Sequence, residues 1–96
     1  MMIGKNCMVR SHNAGVFAGV VKQIDGDCFT LENARRIWFW DGAATLSQLA
    51  QSGTSSPDKC KFPEPVSEVA LFGVIEVIPI TAEAQRTFDL VPVWKK

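Results

Sequence analysis

Arg35 and Arg36 are adjacent, and Trp38 and Trp40 follow within five positions, which makes this the densest recognition chemistry in the chain. A guanidinium forks onto a phosphate or carboxylate with two parallel hydrogen bonds, and an indole offers a face on which a base stacks. Asp41-Gly42 then punctuates the run, and Ala43 to Ala50 holds helix formers throughout, with Asp41 or Thr45 as the cap. The start of such a helix presents unpaired N–H groups close to the arginines, an arrangement suited to an anion. With Asn33, Ser47 and Gln48 to hydrogen-bond a base edge or ribose, the expected ligand-binding set is Asn33, Arg35, Arg36, Trp38, Trp40, Ser47 and Gln48.

Plainer roles compete at each of these positions. Two tryptophans two residues apart share one face of a strand, where indoles serve a core or an interface. Adjacent arginines on a strand point to opposite faces, so one at most serves a given site unless a bulge intervenes, while the other pairs with Glu32, Asp41 or a neighbouring subunit. Gln48 can simply cover its helix. Thr54-Ser55-Ser56 reads either as a lid over the ligand or as a solvated linker.

Catalysis has little to work with. His12 is the only histidine and sits in a turn sequence, Asp25 and Asp27 flank a glycine as turn formers do, and Ser47 has no partner in view. No enzyme and no cofactor is expected. Cys7, Cys28 and Cys60 are widely spaced without a C-x-x-C pair, so they read as reduced thiols, and a three-cysteine, one-histidine zinc site is the less favoured alternative.

The chain has 96 residues and zero formal net charge, which fits one domain (1–96) that gains burial by assembling with copies of itself. A homo-oligomer is expected. Without a net field there is no general attraction for nucleic acid or an anionic membrane, so any phosphate recognition is local. The apolar run Val69 to Ile80 is interrupted by Glu76 and Pro79 and is too short to span a bilayer, and the N-terminus lacks signal-peptide character. The expected location is the cytoplasm, with no membrane partner.

The elements that must position these groups are mainly strands. Asn6 to Ser11 suits a first strand, His12 to Gly15 a turn, and Val16 to Ile24 a second strand with Gly19 marking a bend, bulge or close backbone approach. Asp25-Gly26-Asp27 turns the chain again. Cys28 to Glu32 runs on towards Arg35 to Trp40, with Asn33-Ala34 as a bulge, completing a three-strand meander. Gln51 to Lys59 reads as a surface loop, and Pro63 and Pro65 suggest an edge connector that holds Phe62 against the core. Ser67 to Ile80 reads as two strands bent at Gly73. Thr81 caps one or two helical turns, and the tail packs by Trp94. The expected fold is mainly β: a small SH3-like, Sm-like curled barrel of about five strands with one short helix after the third strand.

Gly15-x-Phe17-x-Gly19-Val-Val, Asp25-Gly-Asp, Phe29-x-Leu31-x-Asn33 and Leu71-Phe-Gly73-Val-Ile-Glu-Val-Ile resemble the Sm-like variety of the SH3-type barrel over about half the chain. That family's Arg-Gly pair and Asp-x-Φ-Met-Asn signature are absent here, so its RNA binding is not implied. A broader resemblance is carried by Ala14-Gly15-Val16-Phe17-x-Gly19, by Asn33-Ala-Arg-Arg-Ile-Trp-Phe-Trp-x-Gly-Ala-Ala-x-Leu-Ser-Gln-Leu-Ala50, and by Pro57-x-x-Cys60-Lys-Phe62. These runs resemble a family of short bacteriophage and prophage proteins of long-unassigned role. The resemblance implies a phage accessory protein in a bacterial host cytoplasm, where small phage proteins sequester the nucleotide signals of host immunity.

Three functions are therefore carried forward. The first is non-enzymatic sequestration of a small phosphate-bearing ligand, a cyclic nucleotide or ADP-ribose-type immune signal, in an anti-defence role. The second is a protein–protein interaction or assembly module with Trp38, Trp40 and Trp94 as anchors and the arginines as charged rim. The third is a ring that binds single-stranded RNA, which the neutral charge disfavours.

Overall fold

The computed structural model describes residues 2–96. Five strands, β1 (Asn6–Ser11), β2 (Gly15–Asp25), β3 (Cys28–Arg36), β4 (Val66–Leu71) and β5 (Val74–Pro79), form one antiparallel sheet in the order β4-β3-β2-β1-β5. The helices are α1 (Leu46–Ser52) and α2 (Ala82–Phe88), and Pro57–Lys59 makes a single 3-10 turn. β1 to β3 form the expected meander. Gly26, at φ +61°, supplies the left-handed residue that the tight β2–β3 turn requires.

The sheet buries both of its faces, so its central strands carry apolar residues in both alternations. On one face Cys7, Val9, Phe17, Val21, Leu31 and Leu71 pack together. Against the other lie Met8, Ala18 and Ile37 with Leu49 of α1, Phe88 of α2 and Phe62 of the connector. Phe62 is 1% exposed, as expected of a connector residue held against the core.

β4 and β5 are consecutive in sequence yet occupy opposite edges of the sheet, joined only by Phe72-Gly73. The sheet must curl for so short a link to reach. Gly73 takes φ +68°, and the corner is held by His12 N–H donating to the Gly73 carbonyl (2.9 Å), Val74 N–H to Asp27 (3.0 Å) and Ser11 Oγ to Phe72 (2.6 Å). No ladder joins β4 to β5. The expected mainly β fold is present, as five antiparallel strands in one curled sheet that is not closed, with two short helices.

Two expected boundaries also move. β3 ends at Arg36 because β2 has run out: Ile37 N–H makes a last bond to Val16 (2.8 Å), and Trp38 and Phe39 then pair with Lys61 instead. α1 starts at Leu46 because Thr45, in an extended conformation, caps it through Oγ1, which accepts from Gln48 N–H at 3.1 Å. Asp41-Gly42 is tied into the following loop, where Ser55 N–H donates to the Gly42 carbonyl at 3.1 Å. α2 is the helix that Thr81 was expected to begin; its Oγ1 accepts from Ala84 N–H (3.0 Å) and donates to the Gln51 carbonyl (2.7 Å), coupling the two helices.

Candidate functional site

Arg35 and Arg36 diverge as adjacent strand residues should. Ala18 pairs with Arg35 and Phe17 with Arg36, and those β2 residues belong to opposite layers. Arg36 lies over the Phe17 ring, 4.3 Å from its centroid, and donates to the Ala14 carbonyl at 2.7 Å. Arg35 turns to the helical side, where Nη1 donates to Phe88 (3.2 Å), Nη2 to Val91 (2.9 Å) and to Phe62 (3.4 Å), and Nε to Pro63 (3.4 Å), all backbone carbonyls. Burial lowers the Arg35 pKa from its ordinary value, and the Asp89 charge opposes that shift. Among the described residues neither arginine forms an ion pair; the expected partners Glu32 and Asp41 are not used.

The two indoles part company as well. Once the chain leaves the strand, Trp38 swings outward and stacks on Trp94, with ring centroids 6.0 Å apart and planes at 18°. Trp38 is 63% exposed and Trp94 43%. Lys61 Nζ sits 5.4 Å from the Trp94 ring centroid, a cation–π contact. Beside this stack runs a shallow groove of about 390 Å³ walled by Asp58, Lys59, Lys61, Val93 and Trp94. Trp40 turns inward, packs against the helical-side core, and satisfies its indole N–H on the Ala43 carbonyl at 3.1 Å.

Ser47 and Gln48 are exposed on α1. Gln48 Oε1 accepts from Ala44 N–H (3.0 Å), so this side chain does cover the start of its own helix, and with Thr45 it closes the first turn. Thr54 is buried and donates through Oγ1 to the Asp41 carbonyl, while Cys60 Sγ lies 3.5 Å from that same oxygen. The Thr54-Ser55-Ser56 segment is therefore fastened to Asp41-Gly42.

A larger cleft, about 500 Å³, opens on the helical side between the sheet and α2. Asn33 and Arg35 of β3 reach it together with Asn6 of β1, Gln85 of α2 and Asp89, the residue that caps the end of α2. Asn33 is placed there by a bulge: Gly19 alone stands opposite Asn33 and Ala34, and Asn33 adopts φ +52°. A Cβ on Gly19 would lie 3.0 Å from the Glu32 carbonyl oxygen and 3.2 Å from the Ala34 Cα, so the close backbone approach favours glycine there. Of the seven expected residues, the structure brings only Asn33 and Arg35 to this cleft.

A family model described as a domain of unknown function, DUF6948, matches residues 4–88. The chain belongs to that family. No curated protein matches it in sequence. The match to DUF6948 takes in all five strands and both helices, and so every residue lining the cleft except Asp89, and it stops short of Trp94.

Asn6, Gln85 and Asp89 were not legible as site residues, since they lie far from Asn33 in sequence and only the sheet order and α2 assemble them. The one available signal was Gly19 opposite Asn33-Ala34, a bulge pattern of the kind that re-aims a side chain. The three cysteines are free, with Cys7 and Cys60 buried and Cys28 half-buried. No helix among the described residues is long and apolar enough to cross a membrane.

Proposed function

We propose that this protein is a protein-interaction module whose contact face is the Trp38–Trp94 stack. The observation that carries the reading is the exposure of two stacked indoles, 63% and 43%, on the surface of a small fold. Tryptophan is the residue type most enriched among interface hot spots, and covering the water-facing part of an indole such as Trp38 is worth about 3 kcal/mol. The charge around the face is basic: Lys59, Lys61, Lys95 and Lys96 stand near Asp58 and Glu64 in sequence, and Glu64 is 3.8 Å from Lys95. The matching partner surface is an apolar side chain for the groove, flanked by carboxylates. The resemblance to short bacteriophage proteins makes a host cytoplasmic protein the partner we favour, in an anti-defence role. We also read the curl of the sheet as that of an open SH3-type barrel, which the two-residue link between its edge strands supports.

A photo-cross-linking residue at Lys61, combined with Trp38→Ala and Trp94→Ala, tests this in the bacterial cytoplasm. A discrete adduct that both substitutions abolish, with the fold retained, is the expected result. An adduct pattern indifferent to both indoles would overturn it.

The cleft beside Arg35 favours a second reading, capture of a small ligand. Phosphate is the weaker candidate there, because Arg35 already donates to four carbonyls and Arg36 is on the opposite face.

A further inference from the structure

The cleft between the sheet and α2 is lined by three carboxamides, Asn6, Asn33 and Gln85. Two of them are chained: Asn6 Nδ2 donates to Gln85 Oε1 at 2.7 Å, and Gln85 Nε2 donates to Asp89 Oδ1 at 2.8 Å. The chain fixes which way each amide points and leaves Asn6 Oδ1 as an acceptor. Asn33 is different. Its carboxamide has no hydrogen-bond partner among the described residues, and a β-bulge with φ +52° holds it at the cleft. Asparagine tolerates that conformation better than other non-glycine residues, so the bulge brings an exposed, unpartnered donor–acceptor pair to the cleft at modest strain.

The remaining lining limits the ligand. Arg35 and Asp89 bring opposite charges, so the cleft is close to neutral and offers no field for a polyanion. Ala18, Val20 and Pro65 supply apolar floor and wall. A volume of about 500 Å³ lies within the ordinary range for small-ligand pockets. A free carboxamide is the side chain that pairs, two bonds at a time, with the adjacent donor and acceptor on the edge of a nucleobase.

We infer that the cleft between the sheet and α2 binds one nucleobase or nucleoside, read at its edge by Asn33. The inference rests on the second reading above, small-ligand capture, and is independent of the indole face. Nucleoside specificity comes from the Asn33 carboxamide, and the phosphate of a nucleotide adds little.

The test is calorimetric titration of the full chain with adenosine, guanosine, cytidine and uridine, and with the corresponding 5′-monophosphates, for the wild type, Asn33→Gly and Trp38→Ala. Glycine adopts φ +52° freely, so Asn33→Gly removes the carboxamide without disturbing the bulge. The expected result is saturable binding of at least one nucleoside, weakened tenfold or more by Asn33→Gly, unchanged by Trp38→Ala and altered less than threefold by the 5′-phosphate. Nucleoside binding that Asn33→Gly leaves intact overturns the inference. Binding of phosphates alone sinks the nucleoside assignment but keeps small-ligand capture, whereas silence from every compound removes both.

Discussion

The Arg35 side chain reaches across from the sheet to donate through Nη2 to the Val91 carbonyl at 2.9 Å, tying the segment after α2 to the strand that carries the bulge. Further bonds from the same guanidinium reach Phe88, Phe62 and Pro63, and the group sits 5.2 Å from the Phe62 ring centroid. One planar fork thus joins β3, the connector and the tail. A lysine ammonium has no such fork.

Replacing Arg35 with methionine is expected to destabilise the protein by about 2 to 4 kcal/mol, since several carbonyls lose a charged donor at once. Arg35→Lys should recover less than half of that loss. Urea denaturation of the three proteins measures both values. Arg36→Met, whose side chain makes one exposed hydrogen bond, should cost under about 1 kcal/mol.

The tryptophans should respond differently to a collisional quencher. Trp38 and Trp94 are exposed and Trp40 is half-buried with its N–H satisfied, so acrylamide quenching of single-tryptophan variants should rank Trp38 first and Trp40 last. Trp38→Ala removes a stack worth about 0.5 to 1.5 kcal/mol and should leave the fold intact. Equal quenching at positions 38 and 40 would contradict the outward and inward placement.

Gly53 and Gly26 both have positive φ, at +79° and +61°, yet their surroundings differ. A Cβ on Gly53 would fall 2.1 Å from Thr87 Oγ1 and 3.0 Å from the Ala84 Cα, whereas one on Gly26 meets nothing within 4 Å. Gly26→Ala should therefore cost only the conformational strain, about 1 kcal/mol. Gly53→Ala adds the wedging apart of α1 and α2, for a total of about 2 to 4 kcal/mol in thermal or chemical unfolding.

Burial raises the Cys7 pKa, with the Lys5 charge opposing the rise. The folded state therefore holds this proton more tightly than the unfolded chain. Its contribution to stability is complete below the unfolded thiol pKa of about 8.5 and is lost as pH climbs from there through the folded value. Unfolding free energy measured between pH 7 and 10 should fall more steeply for the wild type than for Cys7→Ala, although the alanine variant is less stable throughout.

Most of the fold could be read from residue pattern. The Asn6–Ser11 strand, the Asp25-Gly26-Asp27 turn, the bend at Gly73 and the Thr81 cap each announce themselves through local chemistry, and the structure has all four. Local chemistry could not reveal where β3 ends. Trp38 to Trp40 has strand propensity, but its backbone partner is Lys61, on a distant segment, so the two indoles no longer share a face. The same limit applied to the sheet: curl follows from Gly73, while closure depends on whether β4 and β5 pair, and nothing local encodes that. For the cleft, Asn33 was singled out from its neighbourhood, but Asn6 and Gln85 acquire meaning only from a hydrogen bond between opposite ends of the sequence.

β1 is enclosed between β2 and β5, and β5 is the last strand in the chain. A nascent polypeptide can zip the β1–β3 hairpins early, but the other side of β1 stays uncovered until the residues up to Pro79 have been made. During that interval Met8 and Val9 have neighbours on one flank only, which makes the incomplete chain adhesive. The β1–β5 pairing is a contact between distant segments, so the protein should fold more slowly than a helical chain of its length.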